Sequence, residues 1–167
     1  MSGISDGFLN ALNLLFSLNA EIYGIMLLSL FVSGVATLIA SAIGVPLGAS
    51  VALKNFRGKE LFKTLTYTLM GLPHVVAGLI VYLILSRSGP LGLLGLLYTP
   101  GAMIIAQFLL ALPIIVGVTI SAVSSIPREV RDTALSLGAT NWQSTLTILR
   151  EARIGLITAI ITGFGSC

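Results

Sequence analysis

Charged residues are scarce in this sequence of 167 residues, where Asp, Glu, Lys and Arg together make up 9%. Soluble domains contain about a quarter of such residues, so the composition excludes a soluble globular fold. Hydrophobic residues account for 56% and the mean hydropathy is +1.03, as in an integral membrane protein. Cysteine is nearly absent too. Cys167 alone excludes an internal disulfide framework and a cysteine metal site, and we expect no bound metal.

Three long segments contain no Asp, Glu, Lys or Arg, and each exceeds the ~20 residues that a helix needs to cross the hydrocarbon core. They predict transmembrane helices at about 22–53, 64–86 and 101–126. A fourth apolar run, 154–167, has 14 residues, too few for a complete span, and we expect a fragment or a prematurely terminated product. The predicted fold is an all-α integral membrane protein. It is a polytopic helical bundle with three full spans and part of a fourth, forming one domain over 22–167.

The basic residues are concentrated in two loops, 54–63 and 127–153, each with four, whereas Arg87 is alone between the intervening spans. The positive-inside rule therefore places both basic loops in the cytoplasm and the N-terminus outside. Residues 1–21 are then extracytoplasmic, as either an interfacial helix or a flexible lead-in to the first span. The net charge of +3 predicts attraction to anionic lipid heads. Because no basic patch is interleaved with aromatic residues, we expect no nucleic-acid partner.

Ionisable side chains are missing from the body of the three predicted spans, with His74 as the exception. Proton- or ion-coupled transporters and voltage sensors depend on such residues, which argues against those classes. We interpret His74 as a neutral packing residue, with a role in a transport pathway as the alternative. Pro46, Pro73 and Pro113 fall inside the spans. Each removes a backbone hydrogen bond and predicts a kink, and kinked helices can line a pathway.

Small residues form a stripe along the first predicted span. They recur every three or four positions and end in a Gly-x-x-x-Gly pair: Ser29, Ser33, Thr37, Ser41, Gly44 and Gly48. Small side chains at this spacing let another helix approach closely. We therefore predict a tight helix–helix contact here rather than direct contact with a substrate.

The second basic loop begins with the pattern of a short amphipathic helix. Pro127 suits a first helical turn, and Gly138 suits the left-handed residue that ends a helix. Between them, Arg128 and Asp132 stand four residues apart, which predicts an exposed ion pair worth a few tenths of a kcal/mol. The sequence predicts one helix that stops at Gly138.

A second amphipathic helix is predicted directly afterwards. Thr140 can cap its start, with Gln143 three residues on in the capping-box position. The predicted apolar stripe of this helix consists of Trp142, Leu146 and Leu149. The alternative interpretation of the whole segment is a solvated loop that joins two membrane helices.

The sequence does not contain the Gly-x-x-x-x-Gly-Lys-Ser/Thr loop that binds nucleotide phosphates, so we predict that this chain does not bind or hydrolyse ATP. We therefore expect no bound cofactor and no enzymatic activity. If the protein transports a substrate against a gradient, ATP has to be used by a partner subunit.

The charged segment resembles the EAA loop of binding-protein-dependent ABC transporter permeases. In that family the sequence pattern of the loop is Glu-Ala-Ala, then any three residues, then Gly, then any nine residues, and then Ile-x-Leu-Pro. Asp here replaces Glu, Thr replaces the first Ala, and Arg150-Glu151 replaces Leu-Pro. The matching positions are Asp132, Thr133, Ala134, Gly138 and Ile148. In addition, 27–49 is similar to the first core helix of these permeases, and 68–100 resembles the tungstate-type branch.

The resemblance implies the fold and partners of a type I ABC importer permease in the inner membrane. Such a subunit pairs with a second permease, here as a homodimer, and receives substrate from an extracytoplasmic binding protein. Its EAA loop docks into a groove on a cytoplasmic ABC ATPase subunit. Tungstate or a related oxyanion is the implied cargo, with molybdate, sulfate or another small solute as alternatives. Two other classes stay open, an ATPase-independent transporter and a membrane scaffold protein.

Overall fold

The computed structural model describes residues 20–87 and 89–167, and every regular element among them is helical. The helices are α1 (Ala20–Leu53), α2 (Lys59–Met70), α3 (His74–Leu85), α4 (Pro100–Ser124), α5 (Arg128–Ser136), α6 (Asn141–Glu151) and α7 (Arg153–Gly165), with a 3₁₀ turn at Gly92–Leu94. The predicted all-α fold is confirmed. The predicted N-terminal segment 1–21 lies outside the described residues, apart from residues 20 and 21, which begin α1.

Two of these helices are long and apolar enough to cross a membrane by themselves. They are Ile22–Leu53, within α1, and Pro100–Ser124, which is α4, and they lie over two of the predicted spans. Each continues through an internal proline, Pro46 in α1 and Pro113 in α4. The apolar helix α7 has 13 residues, fewer than the ~20 of a full span.

The region predicted as one span over 64–86 has a different structure. It consists of two helices, α2 and α3, whose axes are bent by 99° at the break between them. Pro73 lies at this break with φ −61° and ψ 135°, and it precedes the first residue of α3. Proline has no backbone N–H to donate to a carbonyl of the preceding turn, and it disfavours the helical conformation at Leu72. The helix α2 therefore cannot continue through Pro73. The predicted kink is therefore a complete break, and α2 begins at Lys59 rather than at residue 64.

The predicted close helix contact forms with α4 at the glycine end of the small-residue stripe, at Gly44 and Gly48, whereas Ser29 at the other end of the stripe is exposed. A Cβ at Gly48 would lie 2.8 Å from both the Cβ of Thr119 and the backbone oxygen of Val116. A Cβ at Gly44 would lie 3.0 Å from Cγ2 of Ile115. These positions have no room for a side chain, so the two glycines set the distance between the two long helices.

The Gly48→Ala change is expected to separate α1 from α4. Its new methyl group meets backbone at 2.8 Å, and backbone cannot move aside as a side-chain end can. We expect a loss of about 1–3 kcal/mol, the usual cost of overpacking, seen as a lower Tm of the purified protein in detergent. Gly34→Ala is the matched control on the same helix, because nothing lies within 4 Å of its new Cβ. Equal Tm values for the two variants would contradict the close contact.

Candidate functional site

The corner between α5 and α6 is held by a specific set of backbone hydrogen bonds. Gly138 has φ +85°, in the left-handed region predicted for it. Its N–H donates to the carbonyl of Leu135 at 3.0 Å, and the N–H of Ala139 donates to the carbonyl of Ala134 at 3.0 Å. This pair of bonds is the Schellman arrangement that ends a helix at a residue of positive φ. The prediction of a left-handed stop at Gly138 is confirmed.

The start of α6 is fixed by the predicted capping box. The N–H of Gln143 donates to Oγ1 of Thr140 at 3.3 Å, and the N–H of Thr140 donates to Oε1 of Gln143 at 2.8 Å. Both bonds satisfy backbone donors that a helix start leaves free. Only Ala139 separates this cap from Gly138, so both sides of the corner are ordered by local bonds.

Ile148 anchors the second helix to the membrane bundle. Its side chain is 5% exposed and belongs to a buried cluster with Ala49 of α1, Val123 of α4 and Ala152. Ser144, one turn earlier on the same face, is also buried. The anchor therefore joins α6 to the ends of both long helices.

A basic cavity of about 500 Å³ separates α5 from the ends of α1, α2 and α4. Asp132 lines this cavity, together with Arg128, Arg131 and Leu135 on the same face of α5. The ion pair predicted between Arg128 and Asp132 does not form: within 20–87 and 89–167, the one ion pair joins Lys63 to Glu60. Both side chains line the open cavity, and neither contacts the other closely enough for an ion pair. Of the remaining predicted loop residues, Thr133 is exposed and Ala134 is half-buried.

Two large apolar side chains of the pair of helices α5 and α6 are exposed. Leu137, beside the corner, is 83% exposed, and Trp142 is 73% exposed. The sequence predicts Trp142 on the packed stripe of α6, but the buried face of α6 carries Ser144 and Ile148 instead. Leu137 falls on the apolar face expected for α5 but is not among the coupling-loop positions that the family resemblance marks, and its exposure makes it a candidate site residue. The sequence feature that could have identified Leu137 is its position directly before Gly138, the glycine that ends α5 in the left-handed conformation.

The predicted pathway residues lie on different surfaces. Pro46 lines a groove between α1 and α6, whereas Pro113 lines an apolar groove of about 410 Å³ between α2, α3 and α4. Pro73 marks the break before α3. Nε2 of His74 lies 3.1 Å from the backbone oxygen of Ser166, close enough for an Nε2–H to donate to it. That contact favours the packing interpretation of His74 over the pathway alternative.

The sequence of this chain is similar to a known family of membrane transport proteins and to several of its members. The family described as binding-protein-dependent transport system inner membrane component matches residues 44–167. The chain is 46% identical over 137 residues to a probable anion ABC transporter permease protein of Haloferax volcanii. It is 44% identical over 164 residues to the tungstate uptake system permease protein TupB of Peptoclostridium acidaminophilum, and 33% over 162 residues to TupB of Campylobacter jejuni.

These alignments cover most of this chain and less of its relatives. The alignment with the Haloferax protein covers 82% of this chain and 59% of that protein. The alignment with the Peptoclostridium protein covers 98% of this chain and 72% of the relative, and the alignment with the Campylobacter protein covers 97% of this chain and 68% of the relative. The chain thus spans between about three fifths and about three quarters of each relative's length. The predicted resemblance is confirmed, and the chain belongs to the family of binding-protein-dependent transport system inner membrane components.

Proposed function

We propose that this chain is the permease subunit of an ATP-driven importer, multi-pass in the inner membrane, that takes up tungstate or a related oxyanion. Two relatives aligned over almost the whole chain are named as tungstate uptake permeases, and a third as a probable anion permease. The observation that carries the proposal is the exposed corner at Leu137, held rigid on both sides and anchored to both long helices. In this proposal the chain binds no nucleotide and catalyses no reaction, and a partner subunit uses the ATP.

The corner has the properties of a docking element for a cytoplasmic ATPase. Recognition of a short amphipathic helix in a groove depends on a few apolar anchors on a preformed backbone. Leu137 is such an anchor, since it is 83% exposed and sits next to the fixed turn at Gly138. The hydrogen bonds of the corner order its backbone before docking, so less conformational entropy is lost when the ATPase binds. Trp142 supplies a second exposed apolar surface on α6.

Ile148 provides the mechanical link from this docking element to the membrane. Its side chain packs between Ala49 of α1 and Val123 of α4, so a displacement of α6 acts on the ends of both helices at once. Packed cores shift between discrete arrangements rather than deforming continuously. Closure of two ATPase subunits would therefore move both spans together and alternate the access of the pathway.

The remaining partners follow from the family and from the cargo. A permease of this family receives substrate from an extracytoplasmic binding protein, and we propose that two copies of this chain form a homodimer around the pathway. Neither Ile22–Leu53 nor Pro100–Ser124 contains Asp or Glu, so neither helix repels an anion. Discrimination among tungstate, molybdate and sulfate then rests mainly with the binding protein.

Proteoliposomes test the function directly. They contain this protein with the ATPase and the binding protein of the same transport system. We expect ATP hydrolysis to rise when tungstate-loaded binding protein is added, and tungstate to accumulate only when all three are present. Sulfate and molybdate, added in the same way, identify the preferred oxyanion. Accumulation that continues without the ATPase would contradict the proposal and support an ATPase-independent transporter.

The proposed topology is tested by cysteine labelling. In a Cys167→Ser background, Leu137→Cys should react with an impermeant maleimide only after the cells are opened, because the four arginines of residues 127–153 predict a cytoplasmic loop by the positive-inside rule. Leu93→Cys, in the loop that contains Arg87, should react in intact cells, since the side chain of Leu93 is fully exposed. Labelling of Leu137→Cys from outside would overturn the proposed orientation.

A further inference from the structure

Helix α5 packs little against the rest of the chain. It has nine residues, Arg128–Ser136, and none of them is buried. Its main contact is with α6, the other helix of the pair. An isolated helix of fewer than about 12–15 residues is marginal in water, and most helices in proteins are stabilised by the packing of one face. Stable packing of α5 therefore requires a surface beyond the described residues.

Two sides of α5 are open, and they face in different directions. Leu137, at the end of the helix, is 83% exposed beside the corner. Leu135 lines the basic cavity and is also exposed. Two positions along a helix correspond to a rotation of about 200°, so these two leucines lie on nearly opposite sides. Docking at Leu137 therefore covers one side of α5 and leaves the side that faces the cavity.

The side of α5 that faces the cavity is strongly basic. Arg128 and Arg131 line the cavity from α5, and Lys59 and Lys63 line it from α2. Among the described residues, Asp132 is the one acidic residue in the lining. Both arginines are exposed, and neither forms an ion pair within 20–87 and 89–167. Four cations beside one carboxylate attract a negatively charged group.

The two lysines are ordered on the wall that α2 contributes. Nζ of Lys59 donates to the backbone oxygen of Ala52 at 2.9 Å, at the end of α1. Nζ of Lys63 lies 3.0 Å from Oε1 of Glu60, whose side chain is 82% exposed and does not line the cavity. A ligand that enters the cavity therefore meets lysine side chains that are already placed, which lowers the entropy lost on binding.

The size and the lining of the cavity match a segment of polypeptide. Its volume of about 500 Å³ is that of a pocket for a ligand much larger than an inorganic oxyanion. Its wall combines the four cations with apolar side chains, among them Leu53, Ile126 and Leu135. A segment with acidic and apolar side chains can contact both parts of this wall, whereas an inorganic oxyanion contacts only the cations.

A second copy of this chain is a poor match for the cavity. The two basic loops, 54–63 and 127–153, together contain eight basic and four acidic residues. A second copy would therefore bring a surface of the same sign to the cavity, and like charges placed together oppose association. Charge complementarity favours a different protein with an acidic surface.

We propose that an acidic segment of the ATPase partner enters the basic cavity, so that the partner encloses α5 from both sides. The contact rests on the proposed function, because it adds a second surface to the same docking element. A carboxylate of the segment binds Arg128 and Arg131, whose planar guanidinium groups can each donate two hydrogen bonds to it. A helix held on both sides follows the ATPase in either direction, whereas a helix that only rests in a groove can be pushed but not pulled.

Protection of a cysteine in the cavity tests this contact. Ser124, the last residue of α4, is exposed and lines the cavity from the bundle rather than from α5. In a Cys167→Ser background, Ser124→Cys in phosphatidylcholine nanodiscs is treated with a maleimide, alone and with the ATPase at about ten times its Kd. We expect the reaction to slow about tenfold, because about one tenth of the permease then stays free. Leu93→Cys, on the other side of the membrane in the proposed topology, should react equally fast in both samples.

Two results of the protection experiment would overturn the proposal. If Ser124→Cys reacts equally fast with and without bound ATPase, the cavity stays open in the complex, and docking at Leu137 remains as the proposed function. If Ser124→Cys is already unreactive without the ATPase, lipid or another part of the permease covers the cavity instead.

Charge variants test whether the segment is acidic. Lys63→Gln with Arg128→Gln removes one cation from each wall, and the control, Arg57→Gln with Arg153→Gln, removes one cation from each basic loop outside the cavity. We expect the first variant to bind the ATPase at least about tenfold more weakly than the parent, and the control to stay within about twofold of it. Salt at about 1 M should reduce this difference by screening.

Equal affinity of the two charge variants at low salt would overturn the acidic segment. If the parent itself does not bind the ATPase, the proposed function is wrong and the contact in the cavity falls with it.

Discussion

Gly138→Val is expected to leave the protein inserted in the membrane but to abolish tungstate-stimulated ATP hydrolysis. Gly138 has φ +85°, where a β-branched residue is strained by about 1–3 kcal/mol. No atom lies within 4 Å of an added Cβ, so the effect comes from the backbone and not from a clash. The chain relieves the strain by losing the two hydrogen bonds of the corner, which turns Leu137 out of its docking position. Association with the ATPase should weaken by about 5–150-fold, the equivalent of that strain.

Gly138→Asn is the matched control for this change. Asparagine adopts the left-handed conformation much more readily than valine, and it is the usual substitute for glycine at a helix end. We expect this variant to keep most of the ATPase binding and of the stimulated hydrolysis. Equal loss of activity in both variants would mean that position 138 needs the absence of a side chain rather than a positive φ.

Leu137→Asp is expected to disrupt the ATPase complex without affecting the fold of the permease. Burying a leucine side chain in a groove contributes about 1.5–3 kcal/mol, and a carboxylate in its place adds a cost of desolvation. We therefore expect affinity for the ATPase to fall by at least about 100-fold. The Tm of the isolated permease should change little, because the side chain of Leu137 is already 83% exposed.

Leu93→Asp provides the comparison for the change at Leu137. Leu93 is also fully exposed, but it lies in the loop on the other side of the membrane in the proposed topology. Affinity for the ATPase, measured by surface plasmon resonance on nanodiscs, should equal that of the parent. If Leu137→Asp binds the ATPase as tightly as Leu93→Asp, the helix pair is an ordinary connector and the proposed coupling role is wrong.

The local features of the helix pair could be predicted from the sequence because their causes are local. The left-handed stop at Gly138 and the capping box of Thr140 with Gln143 depend on residues within a few positions of each other. The contact at Gly44 and Gly48 could be predicted as well, since small residues at four-residue spacing leave a helix surface with room for a neighbour.

The features that depend on tertiary packing could not be predicted in the same way. A proline within an apolar run is compatible with a kink or with a full break, and the sequence does not give the 99° angle at which α2 and α3 meet while both pack on α4. The rotation of α6 is set by Ile148, which enters a cluster built from α1 and α4. That rotation exposes Trp142, and the sequence pattern of α6 alone gives no indication of it.

Site-directed cross-linking at the corner tests the proposed coupling role most directly. In a Cys167→Ser background, Leu137→Cys is labelled with a short photoactivatable maleimide, mixed with the ATPase in nanodiscs and irradiated. We expect a covalent adduct between the permease and the ATPase, with a yield that changes when ATP is added, and we expect no such adduct from Leu93→Cys. An ATPase that copurifies with the permease but gives no adduct at Leu137 under either condition would contradict the claim that this corner couples ATP hydrolysis to transport.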